Sequence, residues 1–194
     1  MIQHLKLILF VVVLGSVTSL LLLGMDHLTR ERIIANEEAE IKATLLKAYD
    51  IEFTYANIHD VFDDHVQIIE IDGLIFYLEE NSGAISFHFD GGGVWGPITG
   101  IITLESDFET IKAVAVLQQE ETPGLGGVVA ESQYLAKFVG VKMVPELIIT
   151  KTVDPDADNE VDAIVGATRT SNAFRNILNN AYALHLDAWN SRND

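Results

Sequence analysis

The chain reads as an α+β protein: a single N-terminal transmembrane helix, then an antiparallel twisted sheet packed by helices. Three observations predict this. Leu7 to Met25 is a run of 19 consecutive uncharged, mostly apolar residues, long enough to cross a bilayer as a helix. From Val66 to Leu117 short segments rich in β-formers alternate with turn residues, the signature of hairpin-connected strands. After Thr168 apolar residues recur at helical spacing as far as Leu184, which marks one amphipathic face. Strands first and helices later is the order of an α+β domain.

The N-terminal element, residues 1–28, is read as a retained anchor. A cleaved leader has a shorter apolar region followed by a small-residue cleavage site; Leu21-Leu22-Leu23-Gly24-Met25-Asp26 offers none. The span holds no ionisable side chain, so it reads as an anchor and not as an ion path. Gly15, Ser16, Thr18 and Ser19 either form a small-residue face for helix contact or are simply tolerated in lipid. Residues 29–65 are read as a helical linker and an irregular segment. Thr29 to Tyr49 carries Ile33, Ile34, Ile41, Leu45 and Leu46 at helical positions, whereas Asp50 to His65 shows no period, with Asp60, Asp63 and Asp64 solvated.

Residues 66–194 form the predicted domain. Val66–Ile71 and Leu74–Leu78 flank Asp72-Gly73, a strong hairpin signal. Ala84–Phe89 follows the turn at Asn81-Ser82-Gly83. Ile98–Leu104 and Ile111–Leu117 are expected to pair across Ser106-Asp107. Ser132–Val139 reads as a short helix with Tyr134, Leu135 and Phe138 inward, and Glu146–Thr152 as a strand. In the last helix Ala173, Phe174, Ile177, Leu178, Ala181 and Leu184 should face the core, and Arg175, Asn179 and Asn180 the solvent.

Composition removes several function classes. The chain has no Cys, so disulfides, Cys-ligated clusters and thiol catalysis are excluded within it. With 29 acidic against 12 basic residues and a net charge of −17, it is unsuited to nucleic acid and suited to solvation or a basic partner. The six histidines are scattered with no metal-ligand spacing, so no metal site is expected. Asp154, Asp156, Asp158 and Glu160 alternate like a calcium loop, but Asn159 and Val165 stand where such a loop needs Gly and Glu. Gly91-Gly92-Gly93-Val94-Trp95-Gly96 matches G-x-G-x-x-G, yet Ile98–Leu104 after it reads as a strand where a dinucleotide site needs a helix. Trp95 in that turn has two readings, a core residue at a strand start or a ring that approaches a planar ligand. No nucleophile–base signature is present, so no catalytic residue is expected.

Two motifs carry the functional expectation. Asp162-Ala163-Ile164-Val165-Gly166-Ala167-Thr168, continued by Arg169-Thr170-Ser171, sets small residues and three hydroxyls at a helix start. There the unpaired backbone N–H groups and the positive dipole end suit a phosphate, or one of the hydroxyls is an ordinary N-cap. Glu120-Glu121-Thr122-Pro123-Gly124-Leu125-Gly126-Gly127 concentrates Gly and Pro in a shaped turn. Taken together, E-T-P-G-L-G-G and D-x-x-x-G-A-T-x-T-S resemble the FMN-binding domain family. Its members include the C subunit of the sodium-translocating NADH:quinone oxidoreductase and the G subunit of the Rnf electron-transport complex. The resemblance covers roughly Phe76 to Leu186 and takes in Gly93–Pro97 and Phe138–Lys142. Val165 departs from it, standing where the family has Ser or Thr.

The resemblance implies FMN joined covalently through its phosphate to Thr168. The backbone and hydroxyls of Gly166, Ala167, Thr170 and Ser171 would surround that phosphate, helped by Arg169 and Lys142. Asp162 would be the acidic start of the attachment motif. The turn made of Glu121, Thr122, Pro123, Gly124, Leu125 and Gly126 would lie against the flavin, with Glu121, Thr122 and Leu125 in contact, and Trp95 would approach the same ring. A separate FMN transferase would install the cofactor from FAD. The implied role is an electron-carrier subunit of an ion-translocating oxidoreductase complex, with the other membrane subunits and lipid as partners. It would be held in the cell inner (cytoplasmic) membrane by a single pass. The resemblance places the FMN domain on the extracytoplasmic side, although one Lys before the span and two Arg after it lean weakly the other way. G-V-W-G-P and E-T-P-G-L-G-G lean to the quinone reductase, but the short stretch from Thr29 to His65 suits the more compact Rnf subunit, and the Rnf ferredoxin:NAD+ type is the expected one. A stand-alone tethered flavin domain and a non-redox anchored binding module are the alternatives.

Overall fold

The computed structural model describes residues 2–192. The chain divides into two compact units, Met1–Ile41 and Lys42–Asp194. The described residues of the first are all helical, part of α1 (Ile2–Ala48). From Leu7 to Met25 its side chains are exposed on every side of the helix. An all-round apolar helix suits lipid and not water, and α1 is long and apolar enough to cross a membrane.

The second unit is built on a five-stranded antiparallel meander in the order β1-β2-β3-β4-β5. Its strands are β1 (Val66–Ile71), β2 (Leu74–Glu79), β3 (Ile85–Gly92), β4 (Pro97–Leu104) and β5 (Ile111–Gln118). The Asp72-Gly73 corner has φ of 51° and 79°. Positive φ at both central residues is the type I′ hairpin backbone, and it sets Ile71 opposite Leu74. The β4–β5 turn is held by Asp107, whose Oδ1 accepts the amides of Glu109 and Thr110 at 2.9 Å each.

One sheet face is covered by α4 (Thr168–Ser191). Phe174, Ile177, Leu178 and Tyr182 enter a core with Phe76, Phe87, Phe89, Ile98 and Ile102. His185 stacks on Phe87 with ring centroids 4.1 Å apart. Two expectations for this helix fail. Leu184 is 56% exposed, because Tyr182 and His185 take the inward positions there. Asn179 turns to the segment before the next strand, donating to Leu147 O at 2.9 Å and accepting Leu147 N at 3.0 Å. An amide that satisfies both backbone groups of a buried residue is better used there than in water.

The opposite face carries the other side chains of the same strands, as the two-residue period requires. Tyr49, just beyond α1, donates its hydroxyl to Tyr77 O at 2.7 Å and accepts from Ser86 Oγ at 2.7 Å. Ser86 in turn bonds Thr103 Oγ1 at 2.7 Å. Phe62 packs edge-on against Tyr77 from α2 (Ile58–His65), a helix inside the stretch expected to be irregular. Ile58 and Phe62 are its buried residues, one helical turn apart, while the aspartates stay outside. The predicted helix at Ser132–Val139 is shorter, α3 (Ser132–Leu135) continued by a 3₁₀ turn at Ala136–Phe138. The predicted strand at Glu146–Thr152 contracts to β6 (Ile148–Thr150). It pairs in parallel with β7 (Glu160–Asp162), which the acidic run had concealed.

Glu79 closes the β2–β3 corner from inside and is 4% exposed. Its carboxylate accepts the amides and side chains of Asn81 and Ser82. Burial works to raise its pKa, but these bonds outweigh burial and hold it at about 2, against an ordinary 4.5. A carboxylate depressed on folding stabilises the fold above its unfolded pKa and loses that contribution as pH falls through the folded value. Glu79→Gln is therefore expected to flatten the fall in stability between about pH 5 and pH 2, by roughly 3 kcal/mol at most. Unfolding of the full chain in detergent, followed by tryptophan fluorescence across that range, checks this; equal slopes in both proteins would count against it.

Candidate functional site

Three turns from distant parts of the chain converge at one end of the sheet. The first lies between β3 and β4. Gly93 N donates to Gly96 O at 2.8 Å, and the tight loop between them presents Val94 and Trp95. Trp95 is 72% exposed, which overturns its reading as a core residue. The second follows β5. Thr122 O accepts the amides of Leu125 at 3.1 Å and Gly127 at 2.9 Å. The chain then enters a 3₁₀ helix at Gly126–Ala130, with Leu125 left half-exposed at the corner.

The third turn starts α4. Gly166 has φ of 81°, a left-handed conformation that favours glycine, and it brings the backbone round so that the helix begins at Thr168. Ala167 occupies the N-cap position and no side chain caps the helix. The hydroxyl-cap reading of this motif therefore fails. Each hydroxyl has a separate fate. Ser171 Oγ is buried, donates to Ala167 O at 3.1 Å and accepts Ile164 N at 3.0 Å. Thr170 Oγ1 is buried and donates to Glu121 Oε2 at 2.7 Å. Thr168 is exposed, at the first position of the helix, where backbone N–H groups lack intrahelical partners.

Glu121 holds the three turns together. It is 4% exposed. Its Oε1 accepts Val94 N at 2.6 Å and Trp95 N at 3.1 Å, while Oε2 accepts the Thr170 hydroxyl. Burial pushes the carboxyl's pKa up, but the Thr170 hydroxyl and the Trp95 and Val94 amides outweigh it and hold the group below the usual range. The packing around it is close. A Cβ on Gly93 would lie 2.5 Å from Glu121 Oε1, and one on Gly126 2.5 Å from Glu121 Oε2 and 2.6 Å from Thr170 Oγ1.

Between the turns lies a cleft of about 280 Å³. Its walls are Val94 and Trp95 on one side, Thr122, Leu125 and Gly126 on another, and Gly166 to Thr170 on the third, with Glu121 at the junction. The structure thus brings together nine of the expected site residues (Trp95, Glu121, Thr122, Leu125, Gly126, Gly166, Ala167, Thr168 and Thr170), and Arg169 with them. Pro123, Gly124 and Ser171 shape the turns behind the wall. Asp162 and Lys142 are not in the lining. Asp162 pairs with Lys137 at 3.0 Å, and Lys142 with Asp158 at 2.9 Å, where that carboxylate raises the pKa of the lysine. Val94 also lines the cleft; it belongs to the Gly93–Pro97 motif but was not expected as a site residue, and its place follows from being next to Trp95 in a closed loop.

The cleft fits a phosphorylated planar ligand. A glycine-shaped helix start with an uncapped N-terminus and a nearby guanidinium suits a phosphate, and an exposed indole opposite a leucine suits a flat ring. Residues 93–183 match the FMN-binding domain family. Over that stretch the chain is similar to FMN-binding domains. The C subunit of the Na(+)-translocating NADH-quinone reductase of Pasteurella multocida is 29% identical over 110 residues, covering 53% of this chain and 42% of that protein. The corresponding protein of Vibrio campbellii is 35% identical over 110 residues, 52% of this chain and 42% of that one. The chain thus spans less than half the length of these curated relatives.

Crystal structures agree on the fold. The C subunit of the same reductase from Parabacteroides distasonis superposes with a TM-score of 0.64 at 21% identity, covering 78% of this chain and 92% of that one. NqrC of Shewanella oneidensis gives 0.64 at 20% identity, covering 74% and 93%. The likeness agrees with the antiparallel sheet packed by helices that the sequence predicts for this chain. The relatives named here all carry the quinone-reductase name, and the lean toward an Rnf-type complex gains no support from them.

Proposed function

We propose that this chain is a membrane-anchored electron carrier whose FMN is esterified through its phosphate to Thr168. It would serve as one member of a complex of the Na+-translocating NADH:quinone reductase type. The observation that carries the attachment is the fate of the three hydroxyls. Thr170 and Ser171 are buried and spend their protons on Glu121 and Ala167. Thr168 is the exposed one at the rim of the cleft. Of the three hydroxyls at the start of α4, it alone is open to a transferase. With FAD as donor, the Thr168 oxygen forms a new bond to the flavin-side phosphorus, AMP leaves and the hydroxyl proton is released. The backbone N–H groups of the α4 start and Arg169 would hold the phosphate.

The flavin supplies the redox chemistry when bound, and this chain's residues position it. Trp95 and Leu125 would face the ring, and the covalent tether keeps the cofactor on a domain facing outward from the cytoplasm. α1 would hold that domain at the inner membrane, beside the other subunits. The relatives' name and the membrane-length helix support the assignment to this complex; a surface with net charge −17 suits a basic docking partner.

Intact mass of the chain purified from its own membranes, followed by peptide mapping, tests this. The expected result is a gain of one FMN less one water, placed on Thr168. An unmodified chain, or flavin on another residue, would overturn the attachment.

A further inference from the structure

We propose that Glu121 is a positioning residue: its carboxylate ties the Val94–Trp95 turn to the first turn of α4 and so fixes the Trp95 ring at the rim of the cleft. What Trp95 faces rests on the flavin reading above; the tie itself does not.

The geometry is specific. One carboxylate oxygen takes two consecutive backbone amides, Val94 at 2.6 Å and Trp95 at 3.1 Å, and the other takes the Thr170 hydroxyl at 2.7 Å. These partners lie 26 to 49 residues away in sequence. Trp95 itself is 72% exposed, so the ring gains little fixation from packing. Its place is set by the backbone of its turn, and besides the Gly93–Gly96 bond that backbone is anchored by Glu121. An ionised acceptor buried in protein makes short hydrogen bonds, stronger than neutral ones. Gln119 Oε1 accepts the amide of Glu121 at 2.6 Å, which holds the carboxylate's own backbone. Glycine at 93 and 126 leaves room for the two oxygens. The acid at this position therefore works through the turn it holds, a role the sequence motif does not by itself suggest.

The test compares Glu121→Ala and Glu121→Gln in the full chain in detergent, each also made on a flavin-free Thr168→Val background. In the flavin-free proteins, amide hydrogen exchange is read at Val94 and Trp95, with Phe87 and Ile102 as controls for the fold. Glu121→Ala is expected to speed exchange at Val94 and Trp95 by about tenfold or more and to leave the controls protected. Glu121→Gln keeps a carbonyl acceptor for the two amides and can turn its NH₂ to the Thr170 oxygen. It is expected to restore most of the protection. In the flavin-loaded proteins, flavin fluorescence should rise in Glu121→Ala toward the value for Trp95→Leu and stay near wild type in Glu121→Gln. Unchanged exchange in Glu121→Ala, or loss of protection throughout the sheet in both variants, would overturn the local tie. An unmodified wild-type mass would instead defeat the flavin reading and leave the exchange result standing.

Discussion

Thr168→Val is expected to abolish covalent flavin completely while leaving the stability of the domain within about 0.5 kcal/mol of wild type. A phosphoester needs an oxygen, and valine is the near-isosteric residue without one. The side chain is exposed and makes no cap, so its loss disturbs no buried partner, and surface changes of this kind have small effects. Thr168→Ser keeps the oxygen and should retain flavin. Thr170→Val should behave in the opposite way, because the hydroxyl it removes is bonded to Glu121 Oε2 at 2.7 Å. Leaving a buried carboxylate oxygen unpaired costs on the order of 1–3 kcal/mol, but the attachment point survives. In-gel flavin fluorescence and intact mass separate the three variants. Flavin retained on Thr168→Val would sink the assignment.

The elements that could be read from the sequence are those whose cause is local. Asp72-Gly73 forces a I′ corner wherever it stands between strands, so the register of β1 and β2 follows from two residues. The start of α4 was legible because Gly166 and a group of small and hydroxyl residues break the preceding pattern. β7 was not legible. It is three residues long, Glu160 to Asp162, and its partner β6 lies ten positions back across a solvated acidic loop; a parallel bridge of this kind has no period to detect. α2 was obscured by three aspartates that belong on its outer side, although Ile58 and Phe62 are one turn apart. The site divides in the same way. Its three turns each carry a motif, and the cleft between them was foreseeable. The exposure of Trp95 and the junction at Glu121 were not, since both depend on contacts across tens of residues. Lys142 illustrates the converse: a cation in a matching segment looks available for phosphate until the fold supplies Asp158 beside it.

Phe87→Ala is expected to give the largest loss of stability of any variant considered, about 3–5 kcal/mol. Phe87 has no exposed surface and sits at the centre of an aromatic stack. His185 lies against one side at 4.1 Å and 13° between planes, Phe108 stacks at 6.1 Å and 22°, and Phe76 meets it edge-on at 6.3 Å. Truncation removes the ring's contacts and leaves a cavity that these rigid neighbours cannot fill, so both the transfer and the cavity terms apply. His185 adds a pH dependence. Burial lowers its pKa, with the Ala181 carbonyl opposing, so it is neutral in the core, and a group held neutral by burial destabilises the fold when acid charges it. Opening a cavity beside it eases the entry of water, so the pKa of His185 in Phe87→Ala should move back toward its ordinary value. The cleft depends on this core. Its three turns are the ends of β3, β5 and α4, and β3 and α4 meet through Phe87 and His185. Phe87→Ala should therefore lose flavin attachment in proportion to the fraction unfolded and recover it at lower temperature, whereas Thr168→Val loses attachment at every temperature with the domain intact. Urea unfolding of the full chain in detergent, combined with flavin incorporation at two temperatures, distinguishes these outcomes. Stability in Phe87→Ala within about 1 kcal/mol of wild type, far below the cost of a truncated core ring, would show that the stack is not what holds α4 to the sheet.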